Sequence, residues 1–204
     1  MSTEPEAAET PAIVRESKSI KGTPEAKQAY IEGLRRYRDG DARSAISYLT
    51  TAINVGIDDF DILYYRGMCY LDIEDWEHAS DDFTVLLRMD PKNADYLFHR
   101  GFAEYKNKKY AQAILDFTAI PDDESECSGR WHYMGILFYK MGEYDRAFDC
   151  YERALREFPT VPKIWINSGL VLNALNLHER AEMAFTAAEK LDPRLKGKKR
   201  ELQE

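Results

Sequence analysis

Five glycines, Gly33, Gly67, Gly101, Gly135 and Gly169, stand 34 residues apart. Twelve residues after each comes a small one: Ala45, Ala79, Ala113, Ala147 and Ala181. Four further on is a large apolar or aromatic residue: Leu49, Phe83, Phe117, Tyr151 and Phe185. Three of the five periods then close in proline, at Pro91, Pro159 and Pro193. A period of this length, held five times, marks stacked supersecondary units that each need a neighbour to bury a face. Where two helices cross tightly, the backbones leave room only for Gly on one and Ala on the other. The bulky residue four positions after the alanine shares its helical face and fills the space beside the crossing. Proline ends the second helix and is tolerated in the first turn of the next. Turns are expected at Asp39-Gly40-Asp41, Glu74-Asp75, Lys108-Lys109, Gly142-Glu143 and Asn176-Leu177. Helix pairs follow at about 24–39 and 42–55, 60–73 and 76–89, 94–107 and 110–120, 129–141 and 144–157, and 162–175 and 178–190.

This pattern resembles the tetratricopeptide-repeat (TPR) family. The fourth unit carries it best, with Trp131, Met134-Gly135, Phe138, Ala147, Tyr151, Ala154 and Pro159. The fifth has Trp165, Gly169, Leu172, Ala181, Phe185, Ala188 and Pro193. The first departs furthest, with Glu32 before its glycine and Ile57 at the proline position. The resemblance implies an all-α TPR solenoid, a right-handed superhelix of five helix-turn-helix repeats at about 26–59, 60–93, 94–127, 128–161 and 162–195. The domain is set at 24–195, and the polar tail beyond it, 196–204, is expected to belong to a C-terminal capping helix running on from Pro193.

Residues 1–23 are rich in Glu, Ser, Thr, Ala and Pro without a sustained apolar period, and read as a disordered acidic arm. Ile13-Val14 and Ile20 leave open a short docking helix there. In the third repeat Pro121 arrives early and an acidic stretch, Asp122 to Gly129, follows. It reads either as a longer link that the array tolerates or as a contact loop or a bend in the superhelix. The net charge of −8 argues against nucleic-acid binding, which needs a basic face. The basic cluster Lys196–Arg200 fits a solvated helix end. No apolar run reaches the roughly 18 residues of a membrane helix, and the acidic start is unlike a secretory signal, so a cytoplasmic location is expected. Cys69, Cys127 and Cys150 form no metal-type spacing and read as reduced thiols.

No GxGxxG, GxxxxGK[ST], HExxH or GxSxG motif is present, and the carboxylates, Asp81-Asp82 among them, read as solvent-facing. No catalytic residue, cofactor or metal site is expected. His99 and His132 are the only histidines that could approach one another, and groove lining or packing is the better reading of both. The resemblance implies that the first helix of each repeat lines an inner surface where a partner's extended or helical segment lies. The residues at its exposed positions include Tyr30, Tyr64, Tyr65, Phe98, His99, Phe102, His132, Tyr133 and Tyr139. Tyrosine gives contact area at small entropic cost and keeps a polar tip. A true groove would leave Tyr64, Tyr65, Phe98, Phe102 and Tyr133 open to solvent, whereas Phe83, Phe117 and Phe185 would be buried. The other reading has some of these rings only packing between repeats. Heat-shock co-chaperones of the family hold a carboxylate with Lys and Asn at the fifth and ninth positions; here those positions are aromatic or apolar, except His132, and the clamp is absent. The function expected is a non-enzymatic adaptor or scaffold for other proteins, the alternative a chaperone for exported proteins.

Overall fold

The computed structural model describes residues 21–57, 59–121, 129–198 and 201–202. The expected arm up to residue 20 and the acidic stretch 122–128, with Cys127, lie outside the described residues. Among those described, every regular element is helical, ten α-helices and one 3-10 turn. The chain forms two compact units, one ending at Ile73 and the other beginning at Glu74. The first holds α1 (Pro24–Arg38), α2 (Ala42–Asn54) and α3 (Asp61–Asp72). The second holds α4 (Trp76–Met89), α5 (Ala94–Lys106), α6 (Tyr110–Ala119), α7 (Arg130–Lys140), α8 (Tyr144–Glu157), α9 (Pro162–Ala174) and α10 (His178–Leu191).

Local chemistry sets the helix limits. Thr23 accepts a hydrogen bond from the Ala26 amide and Pro24 opens α1. Asn93 caps α5 through the Tyr96 amide. Between the helices of each pair one residue is left-handed: Gly40 (φ 75°), Glu74 (62°), Lys108 (63°), Gly142 (76°) and Asn176 (60°). These again fall 34 residues apart. At the third turn the Lys109 amide donates to the Glu104 carbonyl at 2.8 Å and the Lys108 amide to Tyr105 at 3.0 Å, closing the last open carbonyls of α5. The fourth and fifth turns repeat this with Glu143 on Phe138 and Leu177 on Leu172.

The crossing is built differently from the Gly-against-Ala contact expected of it. A Cβ placed on Gly135 would lie 2.7 Å from the Tyr151 ring, and one on Gly169 would lie 2.5 Å from Phe185. Gly101 meets Phe117 at 2.9 Å and Gly33 meets Leu49 at 2.7 Å. The glycine is therefore roofed by the bulky residue sixteen positions later, whose side chain rests on bare backbone. The alanines fill the helix–helix interior beside it, all five with no exposed area. Phe83, Phe117 and Phe185 are buried as expected.

The carboxylates are not all at the surface: Asp82, Glu104 and Asp116 are buried. Asp116 tolerates this because Arg100 grips both its oxygens, at 2.6 and 2.8 Å. Ser80 donates to Glu104, and the Lys109 ammonium lies 3.4 Å from the same carboxylate. In the third pair α6 stops at Ala119, because the residue before Pro121 is driven out of the helical region; Ile120 has ψ 126°. Arg130, fully buried, serves that shortened end by donating to the Ile120 and Pro121 carbonyls, each at 2.8 Å. Its guanidinium also lies 4.6 Å from the Trp131 ring centroid.

Among the described residues the expected capping helix is not formed. After Asp192 the described chain makes only a 3-10 turn, Pro193–Leu195. Asp192 accepts from the Arg194 amide and pairs with its guanidinium, and Gly197 (φ 74°) turns the chain away two residues later. Leu195 and Leu202 supply the apolar cover instead, each packed on a core cluster of the second unit.

Two measurements check this architecture. Gly135→Ala should destabilise by about 1–3 kcal/mol, because the clash with Tyr151 outweighs the roughly 1 kcal/mol that alanine gains as a helix former. A urea midpoint at or above the parent's would contradict the roofed-glycine crossing. Lys108→Gly should raise stability by about 0.5–1 kcal/mol, since it relieves a left-handed side chain; a loss would show that the turn is held in another way.

Candidate partner-binding face

In the second unit α5 lies against α7 and α7 against α9, so the first helices of successive pairs form one continuous face. Its centre is Tyr133. Its ring lies 5.2 Å from Phe102, 5.4 Å from Tyr105, 6.1 Å from Phe117 and 6.3 Å from Phe98, centroid to centroid. Trp76 meets Phe102 edge-on at 5.9 Å, extending the cluster to the start of α4. Tyr139 leans on Tyr144 at 5.5 Å. Offset and edge-on pairs of this kind add about 0.5–1.5 kcal/mol each beyond their buried area.

The rings are less open than expected. Phe98, Phe102, Tyr133 and Tyr139 are all half-buried, because each lies against rings from a neighbouring helix. Burial also pushes the Tyr133 hydroxyl pKa above its usual range. The same residues thus serve packing between repeats and present ring edges to solvent. His99 is half-buried, stacked on Phe83 at 5.3 Å with its Nε2 3.2 Å from Asp95.

His132 is a correction to the expected surface list. Only 7% of it is exposed, since its ring is enclosed by Tyr133 and Tyr151 at 5.5 and 6.1 Å. Neither ring nitrogen has a hydrogen-bond partner. Burial, assisted by the charge of Lys163, pulls its pKa down to about 4. Among the described residues no group of three or more His, Cys, Asp or Glu could hold a metal ion. His99 and His132 have different ring partners.

In the first unit Tyr30 is likewise core, 3% exposed, since it packs in the α1–α3 interior with Ala45, Leu49 and Ile62. Tyr64 and Tyr65 are half-buried, and Tyr65 makes edge contacts with Tyr37 at 5.4 Å and Tyr64 at 5.7 Å. Cys69 and Cys150 are buried, and burial pushes both thiols up to about 12, which makes them unreactive. Sequence reasoning passed over Trp76 and the buried Arg130. Trp76 sits at the start of a second helix, outside the first-helix positions, and a buried arginine leaves no periodic signal.

The buried imidazole makes stability pH-dependent. In the unfolded chain His132 takes up its proton near pH 6.5, in the folded chain only near 4. Between these values the unfolded state binds more protons, so lowering the pH through the window costs stability, by up to about 3 kcal/mol. His132→Phe should remove that share of the loss between pH 6.5 and 4 in urea titrations. Identical pH profiles for parent and variant would contradict the buried neutral ring.

Three tetratricopeptide-repeat profiles match the chain, over residues 70–125, 130–161 and 162–195. The BBSome complex member BBS4 of Bos taurus is 23% identical over 76% of this chain and 30% of its own length. The photosystem I assembly protein Ycf3 of Acaryochloris marina is 29% identical over 54% of this chain and 66% of its own. The chain spans under two thirds of the length of these curated relatives. In fold it is similar to MamA (residues 41 to end) of Desulfovibrio magneticus, with a TM-score of 0.76, 19% identity, and coverage of 87% of this chain and 100% of that one. No helix among the described residues is long and apolar enough to cross a membrane. With the 34-residue period, the helix pairs and the matching profiles together, the chain belongs to the tetratricopeptide-repeat family.

Proposed function

We propose that this chain is a non-enzymatic adaptor of the cytosol that holds a segment of a partner protein on the α5–α7–α9 face. Tetratricopeptide-repeat proteins are protein-interaction scaffolds, which gives the class of activity. The observation that carries the reading is the aromatic row on neighbouring first helices, Phe98, Phe102, Tyr133 and Tyr139, each only partly covered by its neighbours. Rings already fixed by their neighbours lose little freedom when a partner covers their edges, so their contact area converts to affinity efficiently. The names of two relatives, an assembly protein and a member of a complex, support the same reading.

The test is affinity purification of the tagged full chain from its native cells, followed by a binding constant for the stoichiometric partner. Phe102→Ala should weaken that partner by about 2 kcal/mol while leaving the fold in place. Phe117→Ala should instead lower folding stability by about 3–5 kcal/mol. Unchanged affinity for Phe102→Ala would move the binding surface off this face.

A further inference from the structure

The last two second helices border an apolar trough that the repeat does not require. Both α8 and α10 pack on α9, and the short links at 158–161 and 175–177 make each antiparallel to it and so parallel to one another. Between them lies a groove of about 530 Å³ floored by Phe148, Leu155, Trp165 and Leu172. The Trp165 ring is fixed there, its Nε1 donating to the Pro159 carbonyl at 2.8 Å. Met183 lines the α10 side with 72% of its surface exposed. At the same place in the repeat α4 and α8 carry Asp81 and Asp149, so stacking alone does not ask for an apolar residue. The charges along the trough alternate. Arg180, in the first turn of α10, lies over Phe148 with its guanidinium 5.0 Å from the ring centroid. Arg156, in the last turn of α8, stands at the opposite end. Glu152 comes between them, 3.9 Å from Arg156; both are exposed, so water screens that pair.

We propose that this trough docks an amphipathic helix of a second protein, separate from the partner of the aromatic face. From Phe148 to Arg156 it follows α8 for about 12 Å, roughly two turns of a seated helix. The walls are themselves helices, whose backbone groups are already engaged and offer no strand edge. An extended segment would lay unpaired amides on the apolar floor, whereas a helix brings its own hydrogen bonds with it. Its apolar stripe, at i, i+3 or i+4, and i+7, meets Phe148, Trp165 and Leu155. Asp or Glu at either end of that stripe meets Arg180 and Arg156, while Glu152 disfavours a carboxylate in the middle. The chain then holds two proteins at once, one on its first helices and one on its second.

The test pans a phage-displayed library of random peptides, each about five helical turns long, against the full chain. Kd is then measured for every enriched peptide with the parent, Met183→Lys, the Arg156→Glu, Arg180→Glu double variant, and Phe102→Ala. All three outer residues are exposed, so their variants should melt with the parent. The expected result is a class of peptides with an apolar stripe ended by acidic residues, which gain helical circular dichroism on binding. That class should bind about tenfold more weakly to Met183→Lys and to the arginine variant, and equally well to Phe102→Ala. Peptides that depend on Met183 but lack acidic ends, ignore the arginine variant or gain no helix overturn the acidic-ended helix. A library that yields no peptide sensitive to Met183→Lys overturns the docking site. If its winners depend on Phe102 instead, they uphold the aromatic face while overturning this one.

Discussion

The architecture depends on one contact, a bulky side chain laid flat on a glycine. At Gly101, Gly135 and Gly169 an aromatic ring occupies the volume in which any Cβ would stand, and at Gly33 a leucine does the same. This sets how closely the two helices of a pair approach, and the fully buried alanine one turn earlier than the ring completes the seam. Because the contact recurs at Gly101, Gly135 and Gly169, the last three pairs present their first helices in an equivalent way. The aromatic face exists because that repetition brings the same positions of α5 and α7 side by side.

The turn between helices has a similar role on a smaller scale. A left-handed residue lets the last amides fold back on the first helix, which satisfies carbonyls that would otherwise end in water or in the core. Glycine suits that conformation at Gly40 and Gly142, and asparagine is a common substitute at Asn176. Glu74 and Lys108 hold it against their own preference, and at Lys108 the hydrogen bonds around the turn outweigh a cost of about 1–2 kcal/mol.

Much of this was legible in the sequence because it is periodic. The 34-residue spacing of glycine, alanine and bulky residue gave the helices to within a residue or two, and Pro121 gave the short α6. What escaped is what does not repeat. Arg130 caps a shortened helix found in one repeat, and Asp116 is buried because Arg100, on another helix, reaches it. The capping helix failed on local chemistry: Asp192 binds the amide and side chain of Arg194, which favours a single turn. On the face itself, position within the repeat placed Phe102 and Tyr139 among the residues expected to be open, and both are half-buried, whereas Tyr30 and His132 are buried. Burial there depends on the rings of the next helices, and a pattern read one repeat at a time does not contain them.

The central claim is that a partner lies across the first helices of the second unit. Chemical-shift mapping of the side chains, free and with the partner bound, tests it most directly. The largest changes should fall on Phe102, Tyr133 and Tyr139, with α8 and α10 nearly silent. Changes centred instead on Met183, Arg180 or Glu152 of those two second helices would contradict it.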